Sequence, residues 1–207
     1  MTPGSPDMLD YYLVDQSGIL VEEFVLGGDD AAVAIDSAGW TDGRWWSSAA
    51  FSMGLRGDPH LRARVVPAGR DEARAAYRRL GGGELPDEAT LRGYFADPAP
   101  LHASAPLRLD ATPVPDGYRE RRVYRVLFAG DLDADGLAAL VPGGARRSTA
   151  GDEFTWQLRR IGSGVAWCVD LTACLNGDPV GVRPLLRELT SAARGQGLIP
   201  VTIERFA

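Results

Sequence analysis

The chain has 207 residues and a formal net charge of −6, which excludes a mainly electrostatic nucleic-acid binder because phosphate binding requires a surplus of positive charge. Its 45% apolar and 24% charged residues are ordinary for a folded globular chain and argue against global disorder. No apolar run approaches the ~20 residues needed to cross a bilayer, so we expect no membrane partner.

The basic residues and cysteines indicate a cellular setting. All 22 basic residues are arginine, which favours a GC-rich bacterial source and excludes Schiff-base and Walker-type lysines. Cys168 and Cys174 have neither redox nor zinc spacing, so we expect unpaired thiols in a reducing compartment. Residues 1–7 lack the basic start and apolar segment of a secretory signal, so we expect a cytoplasmic protein.

The first half shows patterns typical of an antiparallel β-meander followed by two short helices. The Gln16–Gly18 segment and the Asp42-Gly43 pair are turn signals between apolar segments. The predicted strands are Leu9–Asp15, Ile19–Leu26, Ala31–Ser37, Trp45–Leu55 and Leu61–Val66. The predicted helices are Arg70–Leu80, ended by Gly81–Gly83, and Glu88–Phe95, capped by Asp87.

A change in composition predicts the domain boundary. Five prolines fall between Pro98 and Gly117 without sustained periodicity, which is typical of an extended connector. We therefore predict a first domain over residues 1–97, a proline-rich connector over 98–117 and a second domain over 118–207.

The second domain alternates strands with helical spacing. Its predicted strands are Arg122–Phe128, Phe154–Arg159, Gly164–Thr172 and Ile199–Ile203, with a tight turn at Gly162–Gly164. Asp135 is expected to cap a helix over Leu137–Val141, and Asp178 a second helix from Val182 toward Gly195. The element order is βαββαβ, so the predicted fold is α+β with a ferredoxin-like second domain.

The period-two pattern divides this predicted sheet into two faces. The helix-covered face is expected to carry Tyr124, Val126, Phe128, Phe154, Trp156, Leu158, Val165, Trp167, Val169, Ile199, Val201 and Ile203. The opposite face, here called the polar face, carries Arg125, Gln157, Arg159, Cys168, Asp170, Thr172, Thr202 and Glu204. It is either a solvated or covered sheet face or a recognition surface, with Arg125, Arg159, Asp170 and Glu204 as the candidate ligand-binding residues.

Other candidate sites are weaker. Trp40, Trp45 and Trp46 cluster at one hairpin and form a candidate interaction surface, and Trp45 and Trp46, as neighbours on a strand, point to opposite faces. One of these two is either exposed as a protein or sugar contact or packed under the second half, and packing is favoured. Asp131–Gly136 resembles the opening of an EF-hand calcium loop, but Pro142 stands where the bidentate glutamate is needed, so helix capping is favoured. Asn176–Arg183 could hold an anion, although Asp178 and Pro179 oppose it. We predict no metal and no cofactor.

These patterns favour a non-catalytic protein. The two histidines, His60 and His102, lie in no catalytic signature. The leading hypothesis is protein–protein interaction, with a partner protein or by self-association. The alternative is a small-molecule binding domain, or an enzyme with weak sequence signals, that uses the polar face. If the chain does acid–base chemistry, Asp170 is the best candidate, because partial burial would raise its pKa while Arg125 or Arg159 would lower it. The favoured alternative is that Asp170 forms a structural ion pair across the sheet with Arg125 or Arg159.

Overall fold

A computed structural model describes residues 9–15, 17–101, 113–140, 146–161 and 166–206. The protein is mixed α+β, with two antiparallel sheets and, in these ranges, six helices. It divides into two compact units. Unit 1 comprises Met1–Val25 and Ala34–Leu101, and unit 2 comprises Leu26–Val33 and His102–Ala207.

The first sheet has the strand order β4-β3-β2-β1-β5, with β6 paired to β3. Its strands are β1 Asp10–Val14, β2 Gly18–Leu26, β3 Ala32–Thr41, β4 Arg44–Ser47, β5 Val65–Ala68 and β6 Ala99–Pro100. The helices between them are α1 Ala49–Gly57, α2 Pro59–Arg62, α3 Arg70–Arg79 and α4 Glu88–Arg92. The predicted meander is therefore confirmed for β1 to β4.

Local turn and cap chemistry explains several of these elements. Asp42 and Gly43 have φ of 50° and 78°, the positive values that a tight hairpin turn between β3 and β4 requires. Asp87 Oδ1 accepts a hydrogen bond from the backbone N of Thr90 at 2.7 Å, which confirms its role as the cap of α4. That helix ends at Arg92, three residues before the predicted end.

Two predicted strands of the first half are wrong. The strand expected to run from Trp45 to Leu55 ends at Ser47 and is followed by α1, whose buried Ala49, Ser52 and Leu55 recur at helical spacing. The strand expected at Leu61–Val66 is displaced by α2. The start signal of that helix is Asp58, which accepts from His60 N at 2.8 Å before Pro59 at the first helical position. Strand β5 begins only at Val65.

The two faces of the first sheet are filled differently. Tyr11, which pairs with Val21, lies on the face that packs against α3. Glu22 and Tyr12 lie on the opposite face. There the Glu22 carboxylate binds Arg56 of α1 at 2.8 Å, with only 1% and 4% of the two side chains exposed. One face of the sheet therefore has an apolar core and the other contains a buried ion pair.

The second sheet has the strand order β11-β7-β10-β9-β8, and each pair of neighbouring strands is antiparallel. Its strands are β7 Glu120–Ala129, β8 Arg146–Thr149, β9 Asp152–Ile161, β10 Ala166–Leu175 and β11 Ile199–Arg205. Its helices are α5 Ala134–Leu140 and α6 Val182–Arg194. The four predicted strands and both predicted helices are present, and β8 is an additional strand at the edge.

The caps of the second-half helices differ from the prediction. Asp133, rather than Asp135, caps α5, because its Oδ1 accepts from Gly136 N at 2.7 Å. Helix α6 starts after Gly181 with no side-chain cap, so Asp178 does not cap it. Strand β8 was missed because the turn that leads from it into β9 consists of Ala150 and Gly151, both at positive φ, and alanine is not a typical residue for that conformation.

The predicted alternation of faces is confirmed along β7, β9 and β10. Trp167 and its partner Phe128 point to the helix-covered face. Asp170 and its partner Arg125 have the opposite parity along their strands and therefore point to the polar face. The prediction is wrong for Ile199, because a bulge between Pro200 and Thr202 shifts the register of β11. Val165 and the turn at 162–164 lie outside the described residues.

Parts of the predicted connector are described. Ala99–Pro100 forms β6 against β3, so this part of the segment 98–117 is a short strand. Residues 102–112 lie outside the described ranges, and the predicted division into 1–97 and 118–207 stays a prediction. Among the described residues, no helix has both the length and the apolar character needed to cross a membrane.

Candidate functional site

The polar face contains a row of charged and polar side chains that crosses four strands. The register pairs Asp170 on β10 with Gln157 on β9 and with Arg125 on β7. Arg125 in turn pairs with Glu204 on β11. Since residues that pair across antiparallel strands point to the same face, these four side chains stand side by side. The structure therefore brings three of the four predicted ligand-binding residues into one row.

The fourth, Arg159, joins the row through an ion pair. Arg125 reaches Asp170 through two bonds, Nε to Oδ1 at 2.6 Å and Nη2 to Oδ2 at 3.0 Å. Arg159 donates from Nε to Asp170 Oδ2 at 2.9 Å and also from Nη2 to the same oxygen. The side chains of Arg125, Asp170 and Arg159 are 27%, 22% and 43% exposed. The predicted ion pair across the sheet is therefore present, with both arginines engaged.

The two arginines set the protonation state of Asp170. Burial alone raises the pKa of this carboxyl, but hydrogen bonds from Arg125 and Arg159 outweigh burial and hold the pKa below its usual range. A carboxylate that stays ionised at neutral pH and is held by four hydrogen bonds is a poor general base. The cluster is suited to recognition by charge and shape.

The lowered pKa of Asp170 gives a testable dependence of stability on pH. A carboxyl with a depressed folded-state pKa stabilises the fold above its unfolded-state value, and this contribution is lost as pH falls through the folded-state pKa. We expect the free energy of unfolding of Asp170→Asn to fall less steeply with acid below about pH 4 than that of the wild type. Urea denaturation at pH 5 and pH 2.5 compares the two slopes. Equal slopes would contradict the prediction, whatever the change in baseline stability.

Both cysteines are free and buried. Burial raises the pKa of the Cys168 thiol, and the nearby Asp170 carboxylate raises it further. Burial also raises the pKa of Cys174. Because the thiolate is the nucleophilic form, neither sulfur is activated for covalent chemistry at neutral pH.

Beside the ion pairs the polar face forms a shallow open depression of about 530 Å³. On the polar face it is lined by Val123, Thr155, Gln157, Asp170 and Thr172, and it is bordered by Trp156, which lies between Thr155 and Gln157 on β9 and has the opposite parity. The sequence prediction did not include Val123 and Thr155 in the polar face, although their strand parity places them there. Phe206 adds an aromatic ring whose centroid lies 4.7 Å from the Arg125 guanidinium carbon. The face is therefore partly apolar as well as charged.

The predicted tryptophan surface is mostly internal. Trp40 is 9% exposed, and its ring centroid lies 5.6 Å from that of Trp45. Trp45 is half-buried and stacks on Tyr94 with an interplanar angle of 7°. Trp46 points to the other side of β4 and is 40% exposed. Trp45 and Trp46 therefore point to opposite faces as predicted, and of the three candidate interaction residues Trp46 is the exposed one.

The remaining candidate sites are occupied by the chain itself. Arg183, the proposed anion ligand, donates from Nε to Asp30 Oδ1 at 2.9 Å. Asp131 accepts from Leu132 N at 3.0 Å and lies 3.5 Å from Arg160 Nη2, while Asp133 caps α5. Across the described residues, no three His, Cys, Asp or Glu side chains come together as a metal-binding group.

Comparison with known protein families, with curated proteins and with solved structures finds no match for this chain.

Proposed function

We propose that this chain is a non-catalytic recognition protein that binds a partner protein through the polar face of its second sheet. The observation that carries this proposal is the Arg159–Asp170–Arg125 cluster, which fixes two guanidinium groups and a carboxylate on three adjacent strands beside an open depression. Side chains held by rigid strands lose little conformational entropy on binding, so they are suited to recognition.

The chemistry of the face supports binding over catalysis. Asp170 is held ionised by two arginines, and Cys168 is held as a neutral thiol by burial. A general base needs a pKa near the working pH, and a cysteine nucleophile needs a lowered one. Neither group of this face meets its requirement.

The shape of the face supports a protein partner. The depression is broad and open, whereas sites for small molecules usually enclose most of the ligand. Arginine and aromatic side chains are enriched at protein interfaces, and both are present as Arg125, Arg159 and Phe206. A small-molecule ligand is the second candidate, because the volume of about 530 Å³ falls in the range of ligand sites.

We also propose a ferredoxin-like fold for unit 2 and a bacterial cytoplasmic setting. The strand order β11-β7-β10-β9 supports the fold, since it is the order expected when two helix-bearing crossovers each skip one strand, with β8 added at the edge. The lysine-free composition and the two free cysteines support the setting.

A single substitution in the depression tests the proposed function. Thr172→Arg places a bulky charge on the polar face of β10 and should weaken partner binding at least about tenfold, because a buried contact there would gain an unpaired charge. Val180→Arg is the matched control, since Val180 is 81% exposed and does not line the depression. Both variants and the wild type are immobilised and used to capture binding proteins from a lysate of the source organism.

The expected result is a protein, either a second copy or another chain, that wild type and Val180→Arg retain and Thr172→Arg loses. Equal capture by all three would exclude the polar face as the binding surface. A compound that raises the melting temperature of wild type and Val180→Arg but not of Thr172→Arg would favour the small-molecule candidate instead.

A further inference from the structure

The row of side chains on the polar face has an acid and an arginine at its centre, so a second copy of the row in reverse order would set each of these against the opposite charge. Read from β9 to β11 it runs Gln157, Asp170, Arg125, Glu204, with Arg159 leaning onto Asp170. The two acids and two arginines give the row no net charge. The chain as a whole carries −6, so two copies have a net repulsion, to which this neutral row does not contribute.

We propose that the partner bound by the polar face is a second copy of this chain, related by a two-fold axis that runs parallel to the strands between β10 and β7. Such an axis turns one polar face onto the other and reverses the order of the strands. Strand β9 then faces β11 of the other copy, and β10 faces β7. This proposal rests on the proposed function, and it names the occupant of the same face.

The reversal places opposite charges against each other on both sides of the axis. Asp170 meets Arg125 of the second copy, and the symmetry repeats the contact, so four alternating charges surround the axis. Glu204 of the second copy comes beside Gln157 and Arg159. In the neighbouring row, Thr172 meets Val123 of the second copy. An interface of this kind is isologous, because each contact occurs twice.

The size of the face agrees with a whole-face contact. Four strands spaced about 4.8 Å apart and about nine residues long cover roughly 600 Å² in flat projection. A standard interface buries about 800 Å² of accessible surface per partner. Because side chains make the accessible surface of a sheet larger than its flat projection, this face can bury that area if most of it is in contact. Two sheets packed face to face at about 10 Å would achieve that contact.

A double-mutant cycle between Gln157 and Glu204 tests the axis. Within one chain these residues lie on strands three spacings apart, about 14 Å, so they couple weakly. In the proposed dimer they face each other twice. Gln157→Arg should therefore lower the dimer dissociation constant about three- to thirty-fold, and Gln157→Glu should raise it by a similar factor. In the Glu204→Gln background, Gln157→Arg should change it less than about twofold.

Sedimentation equilibrium of the full chain over a range of concentrations measures these constants, with Val180→Arg as the control for an added surface charge. A dimer whose dissociation constant follows the cycle supports the proposal. A dimer whose dissociation constant does not change with the charge at position 157 contradicts the proposed two-fold axis. A wild type that stays monomeric at every concentration, while Thr172→Arg still loses a different captured protein, overturns the second copy as partner and leaves the proposed function standing. Monomers with no capture that depends on Thr172 overturn both.

Discussion

Replacing Glu22 by alanine is expected to lower the free energy of unfolding of unit 1 by about 3–5 kcal/mol, because it leaves a buried arginine without its counter-charge. The Arg56 guanidinium binds both Glu22 oxygens, at 2.8 Å and 3.2 Å. Tyr12 Oη donates to the same carboxylate at 2.9 Å, and Arg56 Nη1 also donates to Ser52 O at 2.6 Å. Neither charge can reach water without local opening, since only 1% and 4% of the side chains are exposed.

Native-state hydrogen exchange of peptides from β1 and β2 measures the loss of stability within unit 1. A single denaturation midpoint would not do so, because the chain has two units that can unfold separately. Two controls separate burial from charge. The double replacement Glu22→Leu with Arg56→Met should cost far less than either single change, because it removes both charges together. Arg64→Ala breaks an ion pair with Asp15 whose side chains are 51% and 40% exposed, and should cost less than about 1 kcal/mol. A Glu22→Ala loss as small as that of Arg64→Ala would contradict the assigned burial.

Two neighbouring residues on β10 test the division of the second sheet into faces. Leu171 is fully buried on the helix-covered face and pairs with Tyr124 and Trp156. Leu171→Ala should lower the free energy of unfolding of unit 2 by about 2–5 kcal/mol, through lost burial and the cavity left behind. Thr172→Ala, one residue later on the polar face, should cost less than about 1 kcal/mol.

Hydrogen exchange of peptides from β7 and β10 measures the free energy of unfolding of unit 2 in both variants. Because the two positions are adjacent on one strand, they share the same strand neighbours and chain position, so a contrast larger than the ~1 kcal/mol span of strand propensities reports which face is buried. Similar losses at both positions would contradict an exposed polar face and would weaken the binding proposals that depend on it. A small loss for Thr172→Ala would also show that the position tolerates change, as the Thr172→Arg experiment requires.

Side-chain alternation was the most informative signal in the second half. The Arg125–Asp170 pair followed from it, because residues of the same parity on adjacent strands share a face. The alternation could not reveal the bulge in β11, since an extra residue leaves the sequence pattern intact and changes only the pairing. Ile199 was therefore assigned to the wrong face.

The first half shows where local pattern is insufficient. Residues 45–55 combine aromatic, small and apolar side chains that suit a strand or a helix, and the helix α1 is favoured where its buried side chains can pack. Glu22 lies inside an apolar strand, but its partner Arg56 is 34 residues away and is one arginine among many. No spacing rule connects them, so the buried ion pair could not be predicted.

The sequence by itself determined the two sheets' main hairpins, the position of helices α3 and α6, and the parity that separates the polar face from the covered one. These follow from turn chemistry, capping and periodicity, which act over a few residues. The tertiary structure alone decided that Arg125 and Arg159 both bind Asp170, that Arg183 binds Asp30, and that Trp40 is buried. Such contacts join residues distant in the chain, and only the folded arrangement of strands brings them within bonding distance.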